Sequence, residues 1–350
     1  MKILLTIIGL AGVLLAGGKM FVWGDAAVNY GSYVPWGLWV AVYGFMVTLS
    51  AGSSLIAGFY YGFGREEYKE AARPALVLSI VSLFFAMPLI SADLGHPLRG
   101  MMILVRPNVH AFLPWAVWAY IAFLIVSIIV LIRGDAGRDT RFLGIISMLL
   151  AGAFLLFESL HFAVVIAHPV WNSAIIIPLF FVTADTLGFA VLAIFGGTGN
   201  AFMNRTILSS LLILLGLMVI GQVIVHANSS PPELHESALH AVSSPWFWTY
   251  IALGLVLPLL LLCSSRSSFT MKLSGWSILI GLLAEKYEFV TSAFALAQFA
   301  ELPSAFHGPG LTVHYTPNII EIGAAAGFLI LTMAAYMWLS PRRKRQGGTA

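Results

Sequence analysis

Long apolar runs alternate with short polar connections along the whole chain. They fall roughly at 3 to 23, 34 to 62, 74 to 96, 111 to 132, 142 to 166, 172 to 196, 206 to 227, 246 to 264, 272 to 297 and 318 to 339. Runs of about twenty residues have the length a helix needs to cross about 30 Å of hydrocarbon, whereas a membrane β-barrel alternates polar and apolar positions over about ten. The pattern predicts an all-α, polytopic transmembrane protein of about ten spans. The first run follows Lys2 and ends in Ala16-Gly17-Gly18, which resembles a signal peptide; it is read as a retained first span.

The charged connections orient this bundle. Arg65, Lys69 and Arg73, then Arg133, Arg138 and Arg141, then Arg205, then Arg266 and Lys272, and last Arg342 to Arg345 fall with Lys2 on alternate connections. The positive-inside rule places these connections and both termini in the cytoplasm, leaving Arg99 and Arg106 as the basic residues of the outer loops. All the histidines (His96, His110, His161, His168, His226, His235, His240, His307 and His314) then lie in outer loops or outer span ends. Two outer connections, near 228 to 245 with Pro231-Pro232 and near 298 to 316 with Pro303 and Pro309, are longer than turns and offer docking surface.

Composition narrows the class. With 59% hydrophobic and 9% charged residues and a mean hydropathy of +0.92, a soluble globular chain is excluded. The net charge of +3 does not point to nucleic acid, because the basic residues sit in the short connections where orientation explains them. The single cysteine, Cys263, cannot form an internal disulfide or hold an iron–sulfur cluster, which takes about four thiolates; any such cluster belongs to a partner.

Candidate chemistry lies in the polar residues the spans retain: Lys19, Asp93, Glu158, His161, Asp185, Glu285, Lys286, Glu288 and Glu321, with His226 at an edge. Each charge in hydrocarbon needs a partner, water or a proton, so these are functional candidates. In Asp93-Leu94-Gly95-His96-Pro97-Leu98-Arg99, Asp93 and His96 share a helix face that Pro97 terminates; a simple capped helix end with a snorkelling Arg99 is the alternative. Glu158 and His161 are likewise one turn apart, and at similar depth the two pairs are expected to line one pocket between the third and fifth spans. The small residues from Gly52 to Gly64 read as helix packing, and Trp23, Trp36, Trp39, Trp115, Trp118, Trp171, Trp246 and Trp248 as an interfacial belt. Thr316-Pro317 reads as the cap of the last span, placing Asn318 and Glu321 on one face.

Several of these motifs occur together in one family. Pro35-Trp36-Gly37-Leu38-Trp39, Asp93-Leu94-Gly95-His96-Pro97 with Arg99, Pro178 followed by Gly188, and Tyr315-Thr316-Pro317 with Glu321 resemble the NrfD/polysulfide-reductase membrane-subunit family, closest to its ten-span branch. His96 stands where family members often carry Arg. The resemblance implies two four-helix bundles, 34–166 and 172–297, flanked by spans 1–23 and 318–339 in a single membrane domain. It also implies no intrinsic haem or cluster, binding of quinone (menaquinone or ubiquinone), and a ferredoxin-like iron–sulfur subunit docked on the outer face beside a further catalytic or multihaem cytochrome subunit.

The expected function is quinone/quinol oxidoreduction by the anchor subunit of a respiratory complex in the cytoplasmic membrane. His161 is the expected hydrogen-bond donor, Glu158 and Asp93 the proton acceptors, and His96, Arg99, Trp39 and His168 further quinone contacts. Asp185, Glu285, Lys286, Glu288 and Glu321 are assigned to a proton path, and no metal site is expected. Two other classes fit parts of the pattern: a di-histidine cytochrome b using His161 and His226, and an ion transporter using Asp185, Glu285 and Lys286. The first lacks histidines in the inner half.

Overall fold

A computed structural model describes residues 1–195, 201–295 and 315–340, and every regular element among them is helical. The long helices are α1 (Lys2–Gly18, continued by a π-turn at Lys19–Trp23), α2 (Leu38–Tyr61), α3 (Lys69–Asp93), α4 (Phe112–Asp135), α5 (Arg141–Ala163), α6 (Ile176–Phe195) and α7 (Ala201–Ala227). They continue with α8 (Pro245–Ser264, containing a π-segment at Tyr250–Val256), α9 (Ser268–Ser292) and α10 (Ile319–Leu339). Among the described residues, nine of these helices are long and apolar enough to cross a membrane. The remaining one, α9, is as long but carries Lys272, Glu285, Lys286 and Glu288. The chain is a multi-pass integral membrane protein.

Helix α2 is the hub. It packs against α3, α5, α6 and α9, while α1 pairs with α10, α4 with α5, and α8 and α6 with α9. Lipid gives helices no hydrophobic reason to associate, so close approach depends on small residues. A Cβ on Gly52 of α2 would stand 1.9 Å from the Ala184 carbonyl oxygen of α6, and one on Gly12 of α1 would stand 2.4 Å from the Gly327 Cα of α10. These contacts make α1 a packed span, and they account for the small-residue run in α2.

The two ends of the bundle differ. At the basic end, Arg73 clasps Asp135 through two hydrogen bonds of 2.7 and 3.0 Å and reaches the Ser340 carbonyl at 2.9 Å. Arg205 holds the Ser265 carbonyl, and Lys2 lies 5.2 Å from the Trp338 ring centroid. Residues 2 and 340 therefore share this end. The opposite end carries His96, His110, His161, His168, His226, His235 and His240; His307, His314 and Arg342 to Arg345 lie outside the described residues, as does most of the 298–316 connection.

Several local expectations are corrected. Helix α3 stops at Asp93, where Leu94 is already extended at ψ 134°, and His96, the residue before Pro97, is likewise outside helical geometry. Asp93 and His96 thus share no helix face. The 228–245 connection contains a helix, Pro232–Ser243, with Ser237 and Ala238 buried. The cap of α10 is Asn318 rather than Thr316, its side chain accepting from the Ile320 and Glu321 N–H groups. Trp39 and Trp171 are core residues, 0% and 1% exposed, not belt.

Candidate functional site

At the histidine end, α2 begins beneath a wall of rings. Trp36 stacks on Trp171 with centroids 5.5 Å apart, Phe162 and Phe294 meet it edge-on, and the His161 imidazole lies 6.3 Å from it. The Trp171 indole N–H donates to the Phe289 carbonyl at 2.8 Å, which ties the α5–α6 connection to α9. One turn below His161, the buried Glu158 is hydrogen bonded by the Tyr43 hydroxyl of α2 and faces the charge of Lys286 from α9.

Lys286 is 1% exposed. Its Nζ lies 3.2 Å from Glu285 Oε2 and 4.1 Å above the Phe180 ring. A buried ammonium costs several kcal/mol unless it is paired, and here the two carboxylates and an aromatic face supply the pairing. Fully ionised, the trio counts one net negative charge, so a single added proton brings it to neutrality. Carboxyl, phenol, imidazole and ammonium thus gather beside the ring wall, a set of groups that can hold and move a proton.

A second cluster lies beyond this wall. Gln222 and His226 of α7, Ser237 of the short helix, Tyr250 of α8 and Glu285 and Glu288 of α9 line a cavity of about 90 Å³. The Ser244 hydroxyl donates to Glu288 Oε2 at 2.5 Å. The buried Glu288 Oε1 and Tyr250 hydroxyl have no hydrogen-bond partner among the described residues.

Other expected site residues stand elsewhere. Asp93 belongs to a separate knot: Lys19 Nζ donates to its carbonyl at 3.0 Å, Tyr30 does so at 3.3 Å, and Lys19 pairs with Asp25 at 2.8 Å. Burial, then the Asp93 carboxylate, holds the Tyr30 phenol well above its usual range. Helices α3 and α5 do not pack side by side, since α2 adjoins both, so Asp93 does not share a pocket with Glu158 and His161, and the Glu158 cluster is formed by α2, α5 and α9. His96 and Arg99 are exposed and do not join it. Trp39 donates its indole N–H to the Glu321 carbonyl at 2.9 Å, a structural tie between α2 and α10 rather than a ligand contact.

Glu321 is likewise a structural residue. Its Oε1 accepts from Tyr315 at 2.5 Å, and its Oε2 from the Asn29 and Asn318 N–H groups at 2.9 and 3.0 Å, closing a capping box. This engagement places it at the start of α10, at the histidine end. His168 Nδ1 meets the Ala293 carbonyl at 2.9 Å and its ring packs on Trp171 and Phe294; burial, partly opposed by that carbonyl, holds its pKa below the usual histidine value. Asp185 is half-buried on α6. Glu285, Lys286 and Glu288 fall within about 10 Å of the α9 terminus at Ser292, nearer the histidine end than the expected mid-membrane depth.

His161 and His226 line different places, the first against Trp36 and the second in the α7–α9 cavity, so they do not form one ligand pair. Among the described residues no group of three or more His, Cys, Asp and Glu side chains gathers to hold a metal ion. The sequence reading missed Tyr43, Tyr250, Gln222 and Ser244. The available signal was a polar tip within an apolar run, shared by many interfacial aromatics.

Comparison with known proteins extends these findings. The family model described as Polysulphide reductase, NrfD matches residues 27–297. A selenate reductase subunit of Mesobacillus selenatarsenatis is 23% identical, over 85% of this chain and 83% of that protein. An Hdr-like menaquinol oxidoreductase integral membrane subunit of Archaeoglobus fulgidus is 23% identical, over 87% and 83% respectively. A putative dimethyl sulfoxide reductase membrane subunit of Halobacterium salinarum is 25% identical, over 88% and 83%.

Proposed function

Because the chain belongs to the NrfD polysulphide reductase family, we propose that it is the membrane anchor of a multi-subunit redox complex, passing electrons between a membrane quinone and a docked iron–sulfur subunit. Relatives named as reductase subunits, together with one named as the membrane subunit of a menaquinol oxidoreductase, support this reading. The observation that carries it is the Tyr43–Glu158 pair beside His161 under the Trp36 wall, with Lys286 behind.

The residues fit a quinone headgroup. A bound quinone supplies a carrier of two electrons and two protons. The Trp36 and Phe162 faces hold a flat ring and exclude water, the His161 imidazole hydrogen bonds a ring oxygen, and Glu158 with Tyr43 holds the proton that oxygen exchanges. Lys286 and Glu285 balance the charge as that proton moves. The partner docks at the histidine end, which faces outward from the cytoplasmic membrane, and brings the clusters that the single Cys263 cannot ligate.

His161→Ala and Glu158→Gln should each lower quinone-linked turnover by about a hundredfold, the scale of a lost proton-transfer group. Partner docking and electron transfer from the extrinsic subunits to a soluble dye should survive. Wild-type turnover and quinone affinity in both variants would overturn the placement. Asp185, Glu285, Lys286 and Glu288 are proposed to relay protons, so Asp185→Asn and Glu285→Gln should change the protons released per electron without dissociating the complex. An unaltered ratio in both would leave these groups as packing pairs.

A further inference from the structure

The α7–α9 cavity shares part of its lining with a second hollow. Along Ile175, Leu217, Met218, Gly221 and Val225 runs an apolar groove of about 420 Å³, and Gln222 and His226 line both hollows. Leu217 and Val225 are 62% and 63% exposed, as expected for a face turned to lipid. One amide and one imidazole thus stand between a mostly apolar cavity that holds a few polar groups and a lipid-facing groove.

The cavity side offers a few polar groups in an apolar wall. Tyr250 and Glu288, 3% and 8% exposed, line it with a hydroxyl and a carboxyl oxygen that have no partner among the described residues, and a buried unsatisfied group is costly to keep. A π-segment shifts the α8 register at Tyr250, and Gly254 lies so near Gly281 that a Cβ on Gly281 would stand 2.1 Å from the Gly254 nitrogen. Such π-segments recur at functional sites.

The occupant follows from charge and shape. Among the described residues neither hollow is lined by Lys or Arg, and Glu285 and Glu288 line the cavity, so an anionic phosphate head is disfavoured. A neutral head with hydrogen-bonding oxygens on an apolar tail fits: the Gln222 amide donates to one oxygen, the His226 imidazole serves the same edge, and the tail lies along the groove in the bilayer. We propose that Gln222 and His226 form a second quinone-binding site on α7, separate from the Glu158 cluster. This rests on the quinone reading above in taking the same ligand class.

The test uses the intact purified complex in native lipid, a photoreactive azidoquinone and peptide mapping. Label is expected within residues 217–226 of α7 in addition to the α2–α5 site. His226→Leu and Gln222→Leu should each lower the α7 label by about tenfold, one lost hydrogen bond, and the groove-filling Met218→Trp should block it. The α2–α5 label should persist in all three variants, which also reports that each has folded. Label at α2–α5 with none on α7 would overturn the second site and leave the proposed function standing. Label on α7 that is displaced by added phospholipid but not by unlabelled quinone would mark annular lipid and overturn it as well. No label at either place would overturn the quinone reading and this inference together.

Discussion

Lys286 shows what a single residue owes to its neighbours. Its position in α9 and its cost in hydrocarbon are legible in the sequence, as are Glu158 and His161 one turn apart. That it faces the carboxylate Glu158, which Tyr43 bonds, is not, because these two come from helices far along the chain and spacing carries no information across α2, α5 and α9. The same limit explains Asp93, which meets Lys19 and Tyr30 rather than Glu158. Removing one partner of a buried ion pair leaves a charge uncompensated, at a cost of about 3–5 kcal/mol. Lys286→Met should therefore lower the thermal stability of the purified complex clearly. Lys286→Met combined with Glu285→Gln should recover part of the loss; a double variant no better than the single one would show that Glu285 is not the group left exposed.

At the scale of elements, helix existence was plain from the apolar runs and helix ends were not. Helix α3 stops at Asp93 although its apolar run reads on to residue 96. Inside α3, Pro88 lacks the N–H of a regular helix, and the Tyr120 hydroxyl of α4 bonds the nearby Leu83 carbonyl. That pairing lies between helices and is invisible to periodicity. The cap of α10 is similar: Asn318 holds the first turn, and its amide also donates to the Ala27 carbonyl at 2.8 Å, so it fastens the 24–37 connection as well. Replacing a capping Asn by Ala costs about 1 kcal/mol in an isolated helix. Asn318→Ala should exceed that here, because it also removes the Ala27 contact, whereas Ser267→Ala at the exposed start of α9 should stay near it. Thermal unfolding of the two variants side by side checks the order.

The whole molecule is arranged as a two-ended bundle around α2, with cations tied to carbonyls and carboxylates at one end and the histidines, the ring wall and both clusters of buried acids toward the other. The alternation of basic connections foretold this polarity, because charge asymmetry depends on chain order alone; which histidines reach the core depended on packing and was hidden. If the basic end is cytoplasmic, the redox partner meets the membrane at the histidine end, directly above the Trp36 wall. In a Cys263→Ser background, His110→Cys and Arg138→Cys place one thiol at each end, both on exposed positions. A membrane-impermeant maleimide added to intact cells should label His110→Cys when the partner is absent and should be shielded there when the complex is assembled. Arg138→Cys should react only after the membrane is opened. Labelling of Arg138→Cys in intact cells would invert the topology and move the docking face to the cytoplasm. Equal labelling of His110→Cys with and without the partner would keep the topology and place the docked subunit away from the α3–α4 connection.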